Sequence, residues 1–394
     1  MKRTDPNLIK DIRKYGAFDV SACFNCGNCT AVCPLSEQTE GFPRRLIRYA
    51  HLGQKKKLTG SREAWLCYYC GECAKTCPRE AKPAAFMAAL RRYIIAKSDI
   101  TGLTGILYKM PWFNVLFLTV VAVLLGLFMY GQRVENREGH KIIEIFNIPF
   151  HFIHDMGVVV MALASLTLAI GLLLTVLRNG DVFSILKKAP KNMKTTGTLI
   201  KNASDTVFNQ MFAFKRFREC DADKKIPLMQ KPWLLHALTA WGFMGLFSAT
   251  LLDLLFKDPE LLVALWYPPR LIGTVSGILL MYGTTMIIIN RLKQNTEVAY
   301  KNGTFTDWWF ILMLWFIGLT GFVLEVLVYL PAGTVSQKTA DILFLVHVAP
   351  AMELVVLAAY TKLAHVFYRP LALFMHSIND EFTKNIIQEE KQNG

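Results

Sequence analysis

The chain has 394 residues, 53% of them hydrophobic, and a formal net charge of +14. Its positive mean hydropathy is high for a soluble protein and ordinary for a membrane one. Eight of its nine cysteines fall in two tight blocks, which excludes a secreted disulfide framework with cysteines scattered among turns.

Residues 1 to about 110 are polar and contain no apolar run long enough to cross a bilayer. The opening MKRTDPNLIKDIRKYG is charged and lacks the apolar centre of a signal peptide, so the N-terminus is expected to stay in the cytoplasm. PRRLIRYAHLGQKKKL and KPAAFMAALRRYIIAK set apolar residues at helical spacing beside basic ones, which predicts short helices around metal sites. The blocks themselves are CFNCGNCTAVCP at 23–34 and CYYCGECAKTCP at 67–78. Both have the spacing C-x2-C-x2-C-x3-C-P, in which three thiolates wrap one iron–sulfur cube and the fourth reaches the other cube. The spacing therefore predicts one [4Fe–4S] cluster on Cys23, Cys26, Cys29 and Cys77, and a second on Cys67, Cys70, Cys73 and Cys33. Gly27 and Gly71 are expected to permit the turn that brings backbone amides to sulfur. Zinc is the competing reading, but it favours paired C-x2-C knuckles without the C-P ending.

Six apolar runs follow, near 112–131, 152–177, 233–256, 270–290, 308–330 and 342–367, each long enough to span a bilayer. Trp112, Trp233, Trp266, Tyr267, Trp308, Trp309, Tyr329 and Tyr368 mark many of their ends, as an interfacial belt does. With residue 1 inside, the inner loops and tail hold 19 Lys and Arg and the outer loops 5. The basic surplus is then topology, both termini lie inside, and nucleic-acid binding is not expected. The basic, amphipathic stretch between the second and third spans reads as one or two helices on the inner membrane face. Lone Cys220 within it reads as a free thiol.

Four histidines stand where intramembrane ligands would. His347 and His365 are 18 residues apart on the last run, which on one straight helix is five turns and about 27 Å, a separation suited to two haems stacked across a bilayer. His236, at the inner end of the third run, is expected to pair with His365. For the outer haem, His347 needs a partner, and His154 is the candidate, with His151 a weaker one. The plainer reading of any one of them is a hydrogen-bonding helix contact. Glu325 and Glu353 are candidates for proton handling near a quinone or for polar bonding within the bundle, and Asp155 for the same or for interfacial solvation.

These residues carry a resemblance. HVAPAMELVVLAAYTKLAHVF at 347–367, PWLLHALTAWGFMGLFSATLLD at 232–253 and PRLIGTVSGILLMYGTTMIIINRL at 269–292 resemble helices of the gamma subunit of respiratory nitrate reductase, a membrane cytochrome b. His236 stands at the position of its inner-haem ligand. That family carries a further ligand ten residues on, where this chain has Leu246. The first hundred residues, through AWLCYYCGECAKTCP and ALRRYII, resemble the helical two-cluster ferredoxin subunit of heterodisulfide reductase. The fusion of both parts is similar to the ferredoxin–cytochrome b subunit of the quinone-interacting membrane-bound oxidoreductase complex.

The resemblance implies electron exchange between menaquinone, bound near the outer haem, and cytoplasmic flavin and iron–sulfur subunits, ultimately serving adenylylsulfate reductase. The expected fold is all-α: a helical two-cluster ferredoxin domain (1–110), two spans (111–178), a basic cytoplasmic segment (179–232), a four-helix haem b domain (233–370) and a cytoplasmic tail (371–394). Two haems b are expected, or one where the outer site lacks a ligand. The setting is a bacterial or archaeal cytoplasmic membrane, with lipid and the menaquinone pool as surroundings. Rivals are the same conduit in a heterodisulfide reductase or sulfite reductase-linked complex, a redox sensor without haem, and a structural anchor.

Overall fold

The computed structural model describes residues 4–393 apart from 17, 38, 134–147, 149, 179–192, 221–224, 257–263, 294–303 and 332. Much of the expected outer loops 132–151 and 257–268, and parts of the inner segments 178–232 and 291–307, thus lie outside the described residues. Among those described, the secondary structure is helical throughout. The N-terminal part holds α1 (Leu8–Arg13), α2 (Asn28–Ala31), α3 (Arg44–His51), α4 (Lys55–Thr59), α5 (Glu63–Leu66), α6 (Glu72–Lys75), α7 (Pro83–Ser98) and α8 (Leu103–Lys109). Twelve of the sixteen residues of α7 are buried, which makes it the central post on which Leu8, Ile12, Phe18, Leu46, Ile47 and Trp65 pack.

Six helices are long and apolar enough to cross a membrane: α9 (Pro111–Gly131), α10 (Phe150–Arg178), α13 (Pro232–Phe256), α14 (Pro268–Leu292), α15 (Phe305–Tyr329) and α16 (Gln337–Val356). Proline at the first position opens α9, α13 and α14, where its missing N–H costs nothing. A Thr304–Asp307 capping box opens α15. Only 17% of the apolar window of α9 is buried, and side chains such as Leu116, Val120, Leu124 and Leu127 are exposed, as on a helix that faces lipid. Helices α13 and α14 approach closely through small residues: a Cβ on Gly242 would lie 2.5 Å from Leu280 N, and one on Gly283 2.5 Å from Thr239 Oγ1.

The last run departs from expectation. It is not one helix over 342–367. α16 ends at Val356, a turn and a 3-10 segment (Lys362–Ala364) follow, and α17 (His365–Asn393) begins at the histidine. His347 and His365 therefore sit on different helices, and the five-turn, straight-helix spacing between them is not realised. Within the break Thr361 has an extended backbone (φ −110°, ψ −171°), and the Lys362 ammonium beside it lies 3.0 Å from Asp307.

The basic inter-span stretch forms α11 (Met193–Met211) and α12 (Lys215–Cys220). Rather than standing apart, it reaches the N-terminal part, with Val207 and Met211 packed against the same core as α7. That core also takes in Leu168 of α10 and Tyr368, Ala372 and Leu373 of α17. One continuous apolar core joins the cysteine-bearing part to the bundle.

Candidate metal centres

The repeated motif folds the same way twice. Asn25 and Tyr69 take φ of 59° and 61°, and Gly27 and Gly71 take 97° and 88°, the left-handed region that glycine enters without strain. Each glycine caps a one-turn helix, α2 and α6. In both copies the backbone N–H two residues after the first cysteine donates to its sulfur: Asn25 N to Cys23 Sγ at 3.3 Å and Tyr69 N to Cys67 Sγ at 3.4 Å. Ala81 N adds a bond to Cys77 Sγ at 3.4 Å. Such bonds stabilise negative charge on sulfur and tune the potential of an iron–sulfur cluster.

The structure brings the two blocks together crosswise. Cys33, Cys67, Cys70 and Cys73 line one cavity of about 170 Å³. Burial pushes the Cys33 thiol up to about 11, opposed by the backbone N–H of Leu35 and reinforced by Cys67 and Cys70. Cys73 is raised by burial and then by Cys67, Cys70 and Cys33. Cys29 is raised by burial and then by Cys23, with Cys26 and Cys77 adding to it. Cys29 also raises Cys73, so the two expected sets lie side by side. Among the described residues no three His, Cys, Asp or Glu side chains meet at one point as the ligands of a single ion would; the second set surrounds a cavity, which suits a cube.

The second block is held against α7, α12 and the start of α17. Trp65 stacks on Tyr368 at 5.1 Å and 22°. Arg369 donates to Cys67 O at 3.4 Å and lies 4.1 Å over the Tyr68 ring. Arg91 donates to Ala64 O at 2.7 Å and to Cys67 O. Arg216 and Glu219 of α12 complete the wall of the cavity.

One helical turn back from Arg369 stands His365. Its ring centroid is 6.2 Å from that of His236, with planes 31° apart. Two imidazoles sharing one metal, each nitrogen about 2 Å from it, have centroids roughly 6 Å apart, so the pair fits a bis-histidine haem iron. His365 Nδ1 lies 2.6 Å from Lys362 O. A carbonyl only accepts, so Nδ1 carries the hydrogen and the neutral ring keeps the Nε2 lone pair for a metal. Phe214 and Phe217 flank His236 at 5.5 Å and 5.9 Å, and Phe217 also meets Tyr68 at 6.3 Å.

The other predicted residues are less concentrated. His347 Nδ1 is 3.0 Å from Thr320 Oγ1, and its ring lies over Gly321, where a Cβ would be 3.1 Å from Cε1. His154 follows Ile153 in the chain and His347 precedes Val348; those two apolar residues belong to one cluster. Glu325 accepts from Thr274 Oγ1 at 2.7 Å and lies 3.8 Å from Arg270. Glu353 is 1% exposed and its Oε1 has no hydrogen-bond partner. Asp155 is exposed.

Sequence reasoning missed Asp307. Its buried carboxylate pairs with Arg92 of α7 at 2.6 Å and with Lys362 at 3.0 Å. Its backbone carbonyl accepts from Arg291 of α14 at 2.8 Å. Arg92 also donates to Tyr15 O at 2.8 Å. This one residue ties the N-terminal part, two spans and the segment before His365 together.

Residues 19–81 match the 4Fe-4S dicluster domain family. The chain is 30% identical over 161 residues to citrate utilization protein B of Escherichia coli, covering 40% of each chain. It is 33% identical over 62 residues to one subunit of the H(2):CoB-CoM heterodisulfide,ferredoxin reductases of Methanothermobacter thermautotrophicus and Methanothermobacter marburgensis, covering 16% of this chain and 34% of each relative. The chain thus spans less than half the length of the relatives it matches. The match to citrate utilization protein B is longer than the 110-residue N-terminal part, so it includes residues of the membrane half. No solved structure matches. The chain carries an N-terminal iron–sulfur dicluster domain joined to six helices able to cross a membrane, an arrangement for electron transfer at a membrane.

Proposed function

We propose that this chain passes electrons between menaquinone in the bilayer and flavin- and iron–sulfur-bearing subunits in the cytoplasm, by way of haem b and two [4Fe–4S] clusters, with adenylylsulfate reductase the enzyme ultimately served. The observation that carries this reading is the paired His236 and His365, with ring centroids 6.2 Å apart, one helical turn before Arg369, which bonds Cys67 O of the second cysteine block, and before Tyr368, which stacks on Trp65 just ahead of that block. Haem iron and the clusters would supply one-electron chemistry.

The chain's own residues do the rest. Lys362 O fixes the His365 tautomer, Phe214 and Phe217 shield His236, and the N–H groups of Asn25, Tyr69 and Ala81 stabilise anionic sulfur. Cys23, Cys26, Cys29 and Cys77 hold one cluster, and Cys67, Cys70, Cys73 and Cys33 the other. His347 and His154 are assigned to a second haem, and Glu325, Glu353 and Asp155 to quinone or proton handling.

The test is anaerobic addition of a menaquinol analogue to the full chain in lipid discs. Reduction of a b-type haem band followed by cluster EPR signals is expected, and His154→Ala is expected to lose one haem of two. A chain that keeps its clusters but takes no electrons from quinol would overturn the reading. The likeness to citrate utilization protein B and to the heterodisulfide,ferredoxin reductase subunits supports the same conduit serving another oxidoreductase. The flavoprotein that co-purifies from the native membrane separates these partners.

A further inference from the structure

The two cysteine blocks are copies in sequence and in backbone, but not in surroundings. Tyr68, between the first two cysteines of the second copy, is enclosed by three segments from outside the dicluster domain. Arg369 of α17 lies 4.1 Å over its ring, Phe217 of α12 stands at 6.3 Å, and its hydroxyl donates to Gln210 Oε1 of α11. With Arg216 and Glu219 walling the cavity, this block is covered by the chain's own helices.

Phe24 holds the same place in the first copy. It is 71% exposed, and Arg79 lies 4.3 Å over its ring. Cys26 beside it is exposed, as are Val32 and Pro78. Arg44, bonded to Asn25 Oδ1 at 2.8 Å, borders the same turn, and Glu80 is the exposed acid next to Arg79. A large aromatic left in water beside a redox centre marks an interaction surface more than an accident of composition. The repeat says what kind: the equivalent aromatic in the second copy is the one that seats neighbouring helices against the cluster motif.

We propose that Phe24, Arg79 and the open edge of Cys26 form the docking face for a soluble redox protein, and that electrons cross there through the Cys23, Cys26, Cys29 and Cys77 set. The partner that fits offers an apolar pocket for the Phe24 ring beside its own redox cofactor, rimmed by carboxylates that answer Arg79 and Arg44. Each crossing moves one electron: a reduced cluster is oxidised by one unit, the partner's acceptor is reduced by one, and no bond is made or broken. This inference rests on the iron–sulfur reading of the cysteines.

Two experiments test it on the full chain. In the first, dithionite-reduced protein in lipid discs, checked for both cluster EPR signals, is oxidised by anionic ferricyanide or by cationic hexaammineruthenium. Arg79→Glu is expected to slow ferricyanide several-fold at low salt and to speed the cation, whereas Lys56→Glu, an exposed charge elsewhere, changes neither. Equal rates in Arg79→Glu and the parent would overturn the proposal.

In the second, the complex is isolated from its native membrane through a tag on this chain. Phe24→Asp is expected to lose the soluble redox subunits while keeping both cluster signals, and Ile100→Asp, a substitution at a residue 70% exposed, to retain them. Retention in Phe24→Asp overturns the docking face. Absence of cluster signals in the parent would instead remove the iron–sulfur reading beneath it.

Discussion

Asp307 shows how much one buried carboxylate can organise. It is 4% exposed, it faces Arg92 and Lys362, and Lys362 in turn presents the carbonyl that fixes His365. Removing one partner of a buried ion pair strands the others and costs about 3–5 kcal/mol. Asp307→Ala is therefore expected to lower the thermal midpoint clearly in detergent and to expose the dicluster domain to limited proteolysis; a variant as stable and as resistant as the parent would show the pair to be incidental. The sequence held a sign of this residue, since T-F-T-D before an apolar run is a capping box. It held none of the ion pairs, because Arg92 is 215 residues away. The cysteines were legible because their ligand geometry is local and repeated. Glu353 and Glu325 were legible as intramembrane acids, while their contacts were not.

Among the elements, the apolar runs translated into helices within a few residues, because span length and proline at helix starts are both local properties. The break after Val356 did not, because apolar residues continue through Leu357–Tyr360 and again from Leu363, with only Thr361 and Lys362 between them. The ion pair of Lys362 with Asp307 lies just beyond it, between residues far apart in the chain. The consequence is chemical: the break starts a helix at His365 and aims that ring at His236. The close approach of α13 and α14 supports the other half of the pair, for Gly283 packs against Leu235 O and Thr239, the neighbours of His236. Gly283→Leu is expected to splay these helices and to cut haem bound at the pair by more than half, measured as haem absorbance per chain. Full haem loading in that variant would mean that the pair tolerates the displacement.

Across the full chain, α11 and α12 change the reading of the inter-span segment. Periodicity placed amphipathic helices there, and two helices are present, but composition could not tell that they would lean on the second cysteine block instead of on lipid alone. The resulting order runs from exposed Phe24 and the first block, through the covered second block, to the histidine pair between the helices. Charge distribution expects the N-terminal part on the inner side. An impermeant maleimide applied to intact spheroplasts should label Thr334→Cys in the α15–α16 loop and leave Thr101→Cys unlabelled. The reverse pattern would invert the topology.

The proposed electron path stands or falls with a haem held by His236 and His365 beside two clusters. Its decisive test is the amount of haem b, by pyridine haemochrome, and of non-haem iron per chain in the parent and in His365→Ala. Haem together with about eight non-haem irons is expected in the parent, and loss of one haem with the iron unchanged in His365→Ala. An iron-replete, folded parent without haem, or a His365→Ala variant that keeps all of its haem, would refute the pairing.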